Sequence, residues 1–294
     1  MFFLDWFAWL PQPRLRPMDI LVGNHAVPRW DFWSPYTIRI VNWNIDRGLR
    51  LPEITGFLES QKADVVLLQE VDVNARRTNF LNIAEEIARE LQMNYVFGRE
   101  FQELTQGDRT SPAYHGQATL SRWSLRNPRV IRFSRQSDFW RPRWYLPRMS
   151  VFQERLGGRI ALVTEVEMSG ERLAVYNLHL ESRGDENLRL AQLEETIEDA
   201  ATQPRRMPTL LAGDLNFDVS HAAPASALGQ VGFRNVLGMP SPHTTTPRGL
   251  FQRRRTIDWA YVSGPVEPIL GRVHDTVSAS DHYPISFTLK FGMK

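Results

Sequence analysis

"LLAGDLNFD", residues 210–218, opens like a buried strand and closes on three polar or backbone-permissive positions, Gly213, Asp214 and Asn216. A short apolar run bounded by glycine suits a strand covered on both faces. A turn explains any one of the three residues, so an account of all three has to come from elsewhere in the chain. Working outward, the same kind of ending recurs. Asn44 and Asp46 follow "IVNW", Glu70 ends "VVLLQE", and His179 sits in "VYNLHLES"; Asp258 lies inside "TIDWAYVS", and Asp281 and His282 form "SDHYP". Strand ends are where a rigid sheet can aim side chains into one cleft.

The segments between these endings predict the fold. Strand-like runs occupy 38–44, 64–69, 95–101, 116–123, 148–156, 159–168 and 172–181, followed by "TLLAGDLN", "TIDWAYVS" and "YPISFTLKF". Pro52 can start a helix that puts Ile54, Phe57 and Leu58 on one face. Phe80, Ile83, Ala84, Ile87, Ala88 and Leu91 form a second helical stripe, and residues 186–201 a third, which stops before Pro204. Gly157-Gly158 and Ser169-Gly170 read as hairpin turns, hence antiparallel pairing. Many strands, few helices and no repeat predict an α+β sandwich, two mostly antiparallel sheets flanked by helices. The expected organisation is an aromatic, proline-rich extension over 1–36 and one catalytic domain over 37–294.

At 294 residues and 42% hydrophobic content the chain can bury a large core. Lys and Arg number 35 against 33 Asp and Glu, a net +2 that permits an anionic partner without demanding one. The absence of cysteine excludes disulfides, thiolate zinc sites and cysteine nucleophiles. "MFFLDWFAWL" carries Asp5, lacks a basic region before it and a small-residue cleavage pattern after it, and is too short to span a bilayer. Its Phe2, Phe3, Trp6, Phe7 and Trp9 are expected to pack on the domain surface, with interfacial membrane contact as the alternative. A cytoplasmic location, with peripheral membrane association in that alternative, is expected, and nothing points to a protein partner.

Taken together, the strand-end residues supply what phosphate-ester hydrolysis needs. Carboxylates of Glu70, Asp46 or Asp281 suit Mg²⁺ or Mn²⁺. Asp214 is suited to take a proton from an attacking water. Asn44, Asn216 and His179 can donate to phosphate oxygens, and His282, oriented by Asp258, completes the cradle. A carboxylate between Ile257 and Trp259 in an apolar strand needs such a partner.

"NWNID", "LLQEVD", "GQATLSR", "YNLHLES", "AGDLNFD", "TIDWAYV" and "SDHYPISF", in that order, resemble the endonuclease/exonuclease/phosphatase superfamily over residues 38–291. The resemblance implies a four-layered αββα sandwich and Mg²⁺-dependent phosphoester hydrolysis. By that likeness Glu70 is the principal metal ligand, Asn44 lies near metal and phosphate, and Asp46 and Asp281 add to the metal site. His179 contacts phosphate, Asp214 and Asn216 orient water and phosphate, and Asp258 with His282 is the Asp–His pair. The general base is left between Asp214 and His282. Two departures stand out: Gln117, where the family often has asparagine and a strand-packing role is read, and Arg47, which lengthens the loop after the first strand.

Substrate choice belongs to the loops. Residues 122–148 interleave arginines with Trp123, Phe139, Trp140, Trp144 and Tyr145, and Arg253, Arg254 and Arg255 precede the Asp258 strand, so these arginines should lie near the cleft. The leading expectation is a phosphodiesterase acting on nucleic acid as an endo- or exonuclease. The alternative is a phosphatase or phospholipase C-like hydrolase of a lipid headgroup or small phosphorylated molecule.

Overall fold

The computed structural model describes residues 19–27, 37–108, 110–140, 145, 149, 151–204, 206–218, 222–238, 241–246 and 254–292. Along the chain run β1 (Ile20–Gly23), β2 (Thr37–Arg47), α1 (Leu51–Gln61), β3 (Val65–Val73), α2 (Ile83–Glu90), β4 (Asn94–Glu103), β5 (Ala113–Ser121) and β6 (Ser124–Arg132). There follow β7 (Arg155–Gly157), β8 (Ile160–Met168), β9 (Glu171–His179), α3 (Glu186–Ala200), β10 (Thr209–Asp214), α4 (Ala222–Gln230), β11 (Arg234–Asn235), β12 (Asp258–Ser263), β13 (Val266–Val273) and β14 (Ile285–Phe291). One sheet has the order β1-β4-β5-β3-β2-β14-β13, with β7 also on β4; the other has the order β11-β12-β10-β9-β8-β6. Among the described residues only β2/β3 and β9/β10 pair in parallel.

Strand alternation builds the four layers. Ile38 and Ile40 of β2, with Val65 and Leu67 of β3, face Val175, Leu210, Ala212 and Ala260 of the other sheet. Val41, Trp43 and Ile45 turn the opposite way, onto Ile54 and Leu58 of α1 and Ile83 and Ile87 of α2. On the far side Tyr176, Leu178 and Leu211 pack against Leu193 and Ile197 of α3 and Leu228 of α4. The result is the expected αββα sandwich. Toward one end the layer between the sheets turns polar: Gln69 Nε2 donates to Asn42 Oδ1 at 2.9 Å and to Asn177 Oδ1 at 2.7 Å. Asn177 Nδ2 donates in turn to the carbonyls of Leu68 (3.1 Å) and Ala118 (2.9 Å), beside the point where the β3–β5 ladder slips. A side chain of one sheet thus satisfies backbone groups of the other. Beyond this layer lies the candidate site.

Several expectations are corrected. The 1–36 extension contributes an edge strand, since β1 pairs antiparallel with β4 from Ile20↔Gly98 to Gly23↔Tyr95; the aromatic residues before Met18 lie outside the described residues. Phe80 is outside α2 and 57% exposed, because Asn82 caps that helix by accepting from the Glu85 N–H. Residues 148–156 are not one strand: the N–H groups of Phe152 and Gln153 both bond the Met149 carbonyl, closing a turn. Gly157-Gly158 is not a hairpin but the step between sheets, since β7 pairs with β4 while β8 pairs with β6 and β9. Ser169-Gly170 does turn a hairpin, with Met168 opposite Glu171.

The arginine-rich stretch is corrected too. Its first part is β6, an edge strand of the second sheet, whose arginines are occupied. Arg126 pairs with Glu167 (2.8 Å), Arg129 with Asp199 (2.9 Å) and Arg132 with Asp19 (2.7 Å), and Arg122 donates to the Ala63 carbonyl (2.9 Å). Arg141, Arg143, Trp144, Arg148 and Arg253 lie outside the described residues. Neither α4 nor β13 was anticipated. The first is rich in Ala without an apolar stripe, and the second carries Pro268 in an edge strand, where a missing N–H is tolerated. Gly213 sits within β10 rather than at a turn; a Cβ there would meet the Leu178 carbonyl oxygen at 1.9 Å. Glycine is what lets β10 lie this close to β9.

Candidate active site

Register assembles one wall of the site. Asp214, the last residue of β10, pairs with His179 at the end of β9 and with Asp258 at the start of β12, so three chemistry-bearing residues form one row across adjacent strands. All three are buried. The other wall comes from the first sheet. Asn44 continues the inward series Ile38, Ile40, Asn42. Gln69 also points inward, and simple alternation would turn Glu70 outward. Instead β3 slips register on both neighbours here, and Glu70 takes a left-handed backbone, φ 52°. The bulge re-aims its carboxylate into the cleft. Asp46 (φ 43°) and Asn216 (φ 57°) are left-handed as well, a strain of about 1–3 kcal/mol each that the surrounding ladder must hold.

The two walls meet at Asn44. Its Nδ2 donates to Asp214 Oδ2 at 3.1 Å and approaches Glu70 Oε1 at 3.4 Å, so one amide spans carboxylates from both sheets. The other oxygen of Asp214 accepts the Asn216 N–H at 2.9 Å, while Asn216 Nδ2 donates to the Leu180 carbonyl at 3.1 Å. His282 Nδ1 lies 2.9 Å from Asp258 Oδ2, leaving Nε2 directed at Asp214 (3.7 Å) and Asp281 (3.9 Å). Ser280 and Trp43 anchor this corner: Ser280 Oγ donates to the Asn44 carbonyl and Trp43 Nε1 to that of His282, both at 2.8 Å. Thr244 Oγ1 accepts the Asp258 N–H at 3.1 Å. Asp46 is bonded by the Arg47 guanidinium, whose Nη1 is also 3.6 Å from Glu70 Oε2. Every residue expected in the site is therefore in or beside one cleft.

Electrostatics follow the same layout. Burial would raise Glu70, but the histidines 115, 179 and 282 with Arg47 hold it well below the usual carboxylate range. Burial would lower His282, yet Asp258 and Asp214 outweigh it and push it up to about 10. Asp258, buried beside Asp214, is raised despite His282. Asp214, Asp258 and His282 bring ligand-type atoms within 4.8 Å of one another. Oxygen donors dominate: Glu70 and Asp214 converge on one amide, with Asp281 close by. Like charges drawn together in this way fit a hard divalent cation with oxygen ligands.

The sequence did not reveal the buried support behind His179. Arg159 Nη1 stands 2.9 and 3.0 Å from the two ring nitrogens of His179 and 3.0 Å from Glu100 Oε2, and Arg159 Nη2 donates to Ser182 Oγ at 3.0 Å. Burial would raise Glu100, but His179 and Arg159 hold it down to about 2. Gln117 Nε2 donates to Glu100 Oε1 (2.9 Å) and to the Ile160 carbonyl (3.0 Å), which ties the two sheets together. A lone arginine opening an apolar strand, "RIALV", was the available signal.

Two sheets that converge carboxylates, amides and two histidines on one cation-fitting cleft define a metal-dependent phosphoric ester hydrolase. The chain belongs to the endonuclease/exonuclease/phosphatase family, whose model matches residues 41–282. Solved structures agree on the fold. An endonuclease/exonuclease/phosphatase protein from Beutenbergia cavernae matches with TM-score 0.66 at 17% identity, covering 88% of this chain and 72% of its own. The human Nocturnin catalytic domain with bound sulfate matches with TM-score 0.63 at 16% identity, over 93% and 98%. D. rerio TDP2 in complex with a single-strand DNA product matches with TM-score 0.60 at 18% identity, over 87% and 100%. No curated protein sequence matches.

Proposed function

We propose that the protein is a Mg²⁺-dependent phosphodiesterase acting on nucleic acid. Asn44 carries the hydrolytic part of this reading, because it holds Glu70 and Asp214 on either side of one point. In this reading Glu70, Asp281, Asp46 and Asn44 hold the cation, which neutralises charge on the phosphate oxygens when bound. Mn²⁺ has the same preference for hard oxygen ligands. Asp214, aligned by the Asn216 N–H and the Asn44 amide, accepts the proton of the attacking water. His179 and Asn216 donate to non-bridging oxygens, and His282, fixed through Nδ1 by Asp258, presents Nε2–H to the same group.

The substrate class rests on the loop after β9. Arg183 stacks on the half-exposed Phe139 ring at 3.9 Å, beside Trp140, three residues past Leu180. An exposed aromatic and a guanidinium within one loop of the phosphate site suit a base and its backbone. The D. rerio TDP2 complex adds that this fold takes a single-strand DNA product. A second reading, hydrolysis at a lipid surface, is favoured by exposed Tyr145, Met149, Val151 and Phe152 before β7; a cytoplasmic protein touching membrane there would suit it. Among the described residues no helix is long and apolar enough to cross a bilayer.

Purified protein with Mg²⁺ is expected to cleave single-stranded DNA or RNA, and EDTA to stop it. Intact nucleic acids alongside release of headgroup or phosphate from phospholipid or inositol phosphate would replace the first reading with the second. Glu70→Ala should raise the Mg²⁺ concentration for half-maximal activity by about 10–100-fold, as loss of metal-site support typically does. An unchanged metal titration in that variant would remove Glu70 from the metal site.

A further inference from the structure

A cleft of about 300 Å³ adjoins Asn216, at the small end of the range for ligand sites. Arg189, Arg254, Arg255 and His243 line it. Arg255 Nη2 donates to the Asn216 carbonyl at 3.0 Å, so the cleft and the hydrolytic centre share a residue. None of the three arginines forms an ion pair among the described residues. Arg189 is buried, and its Nε and Nη2 donate to the carbonyls of Glu181, Ser182 and Gly184, leaving Nη1 without a hydrogen bond among the described residues. Glu186 and Asp218 also line the cleft, so among the described residues three guanidiniums stand against two carboxylates before His243 is counted. The arginine segment is fixed in place: Thr244 N–H donates to the Arg255 carbonyl at 2.8 Å and Arg255 N–H to Thr245 Oγ1 at 2.9 Å.

Guanidiniums that outnumber the carboxylates around one cleft, next to a phosphate site, call for an anion of the ligand. From this placement of Arg189, Arg254 and Arg255 around one cleft, we infer that it is a subsite for a second phosphate of the substrate, one unit from the phosphate under attack. The inference rests on the phosphoester reading of the neighbouring centre and narrows it: the preferred substrate is at least bis-phosphorylated. A polynucleotide supplies that second phosphate, and so does a small bisphosphate; the shared chemistry is a phosphate within reach of Arg254 and Arg255.

Calorimetric titration of the full chain with Ca²⁺ tests this, using thymidine 5′-monophosphate against thymidine 3′,5′-bisphosphate and inositol 1-phosphate against inositol 1,4-bisphosphate. At least one bisphosphate is expected to bind about tenfold more tightly than its monophosphate, a difference of about 1.4 kcal/mol. The pair showing the gain identifies the source. Arg254 makes no hydrogen bond among the described residues, so Arg254→Glu should fold normally, and it should bring the ratio to about one or below. Ratios within about twofold for both wild-type pairs, or a wild-type ratio retained in Arg254→Glu, would overturn the inference. Failure of the phosphodiesterase reading shows separately, as absence of cleavage of every phosphoester tried while the binding ratio persists.

Discussion

The Asp214→Asn variant is expected to fold and bind metal while losing about 10³-fold in kcat, within the range set by removing a positioned general base. Asparagine keeps an acceptor for the Asn216 N–H and nearly the volume of a buried residue, so thermal midpoint and circular dichroism should stay close to wild type. What disappears is a carboxylate able to take a proton, held by Asn216 on one oxygen and by Asn44 on the other. His282→Ala should cost a comparable factor for a different reason, the loss of a donor to the developing charge, worth about 10²–10³-fold. The pH profile of kcat/KM separates the roles. If Asp214 is the base, its acidic limb vanishes in Asp214→Asn and survives in His282→Ala. The reverse pattern would transfer the role to His282, and near-wild-type turnover in Asp214→Asn would end both assignments.

How legible this site was depends on what each residue needed. Asp214, Asp258 and His179 each stand at or near an end of an apolar strand, and strand pairing brings such ends into register without further help. Asn44 was legible for the same reason. Glu70 does face the cleft, although its aim was hidden: alternation with inward-facing Gln69 would turn it away, and only a left-handed residue in a bulge turns it back. No local propensity favours a glutamate there, so the surrounding ladder decides. Gly157-Gly158 failed because two glycines also serve where the chain steps closely past another strand; a Cβ on Gly157 would meet the Glu100 carbonyl oxygen at 2.1 Å. The arginines of β6 failed because a basic run looks the same whether it grips a ligand or pairs along a sheet edge. Asp19, Glu167 and Asp199, distant in sequence, settle the matter. Asp218, the last residue of the 210–218 stretch, lines the arginine cleft.

Arg159 and Glu100 illustrate what sequence hides most completely, a buried ion pair whose worth lies in what its loss leaves behind. Arg159→Met is expected to destabilise the protein by about 3–5 kcal/mol, because a carboxylate 1% exposed loses the guanidinium paired with it. The pH dependence has a definite sign. In the wild type Glu100 is held at about 2, below the free value of about 4.3, so its contribution is fully present above about pH 5 and lost as pH falls toward 2. Without Arg159, burial favours the neutral acid more strongly. The variant's deficit should therefore be largest near neutral pH and shrink on acidification, as a protonated Glu100 becomes tolerable. Urea midpoints at about pH 7.5 and pH 5 measure this directly. Adding Glu100→Gln should restore most of the lost stability, because a neutral amide still offers an oxygen to Gln117 Nε2 and leaves no buried charge unpaired. It should not restore turnover: the guanidinium that stands against both ring nitrogens of His179 is still missing, and the ring loses the partner that fixes its orientation. A deficit that is independent of pH and unaffected by Glu100→Gln would mean that Arg159 acts through packing alone, and recovery of turnover in the double variant would mean that His179 is held without it.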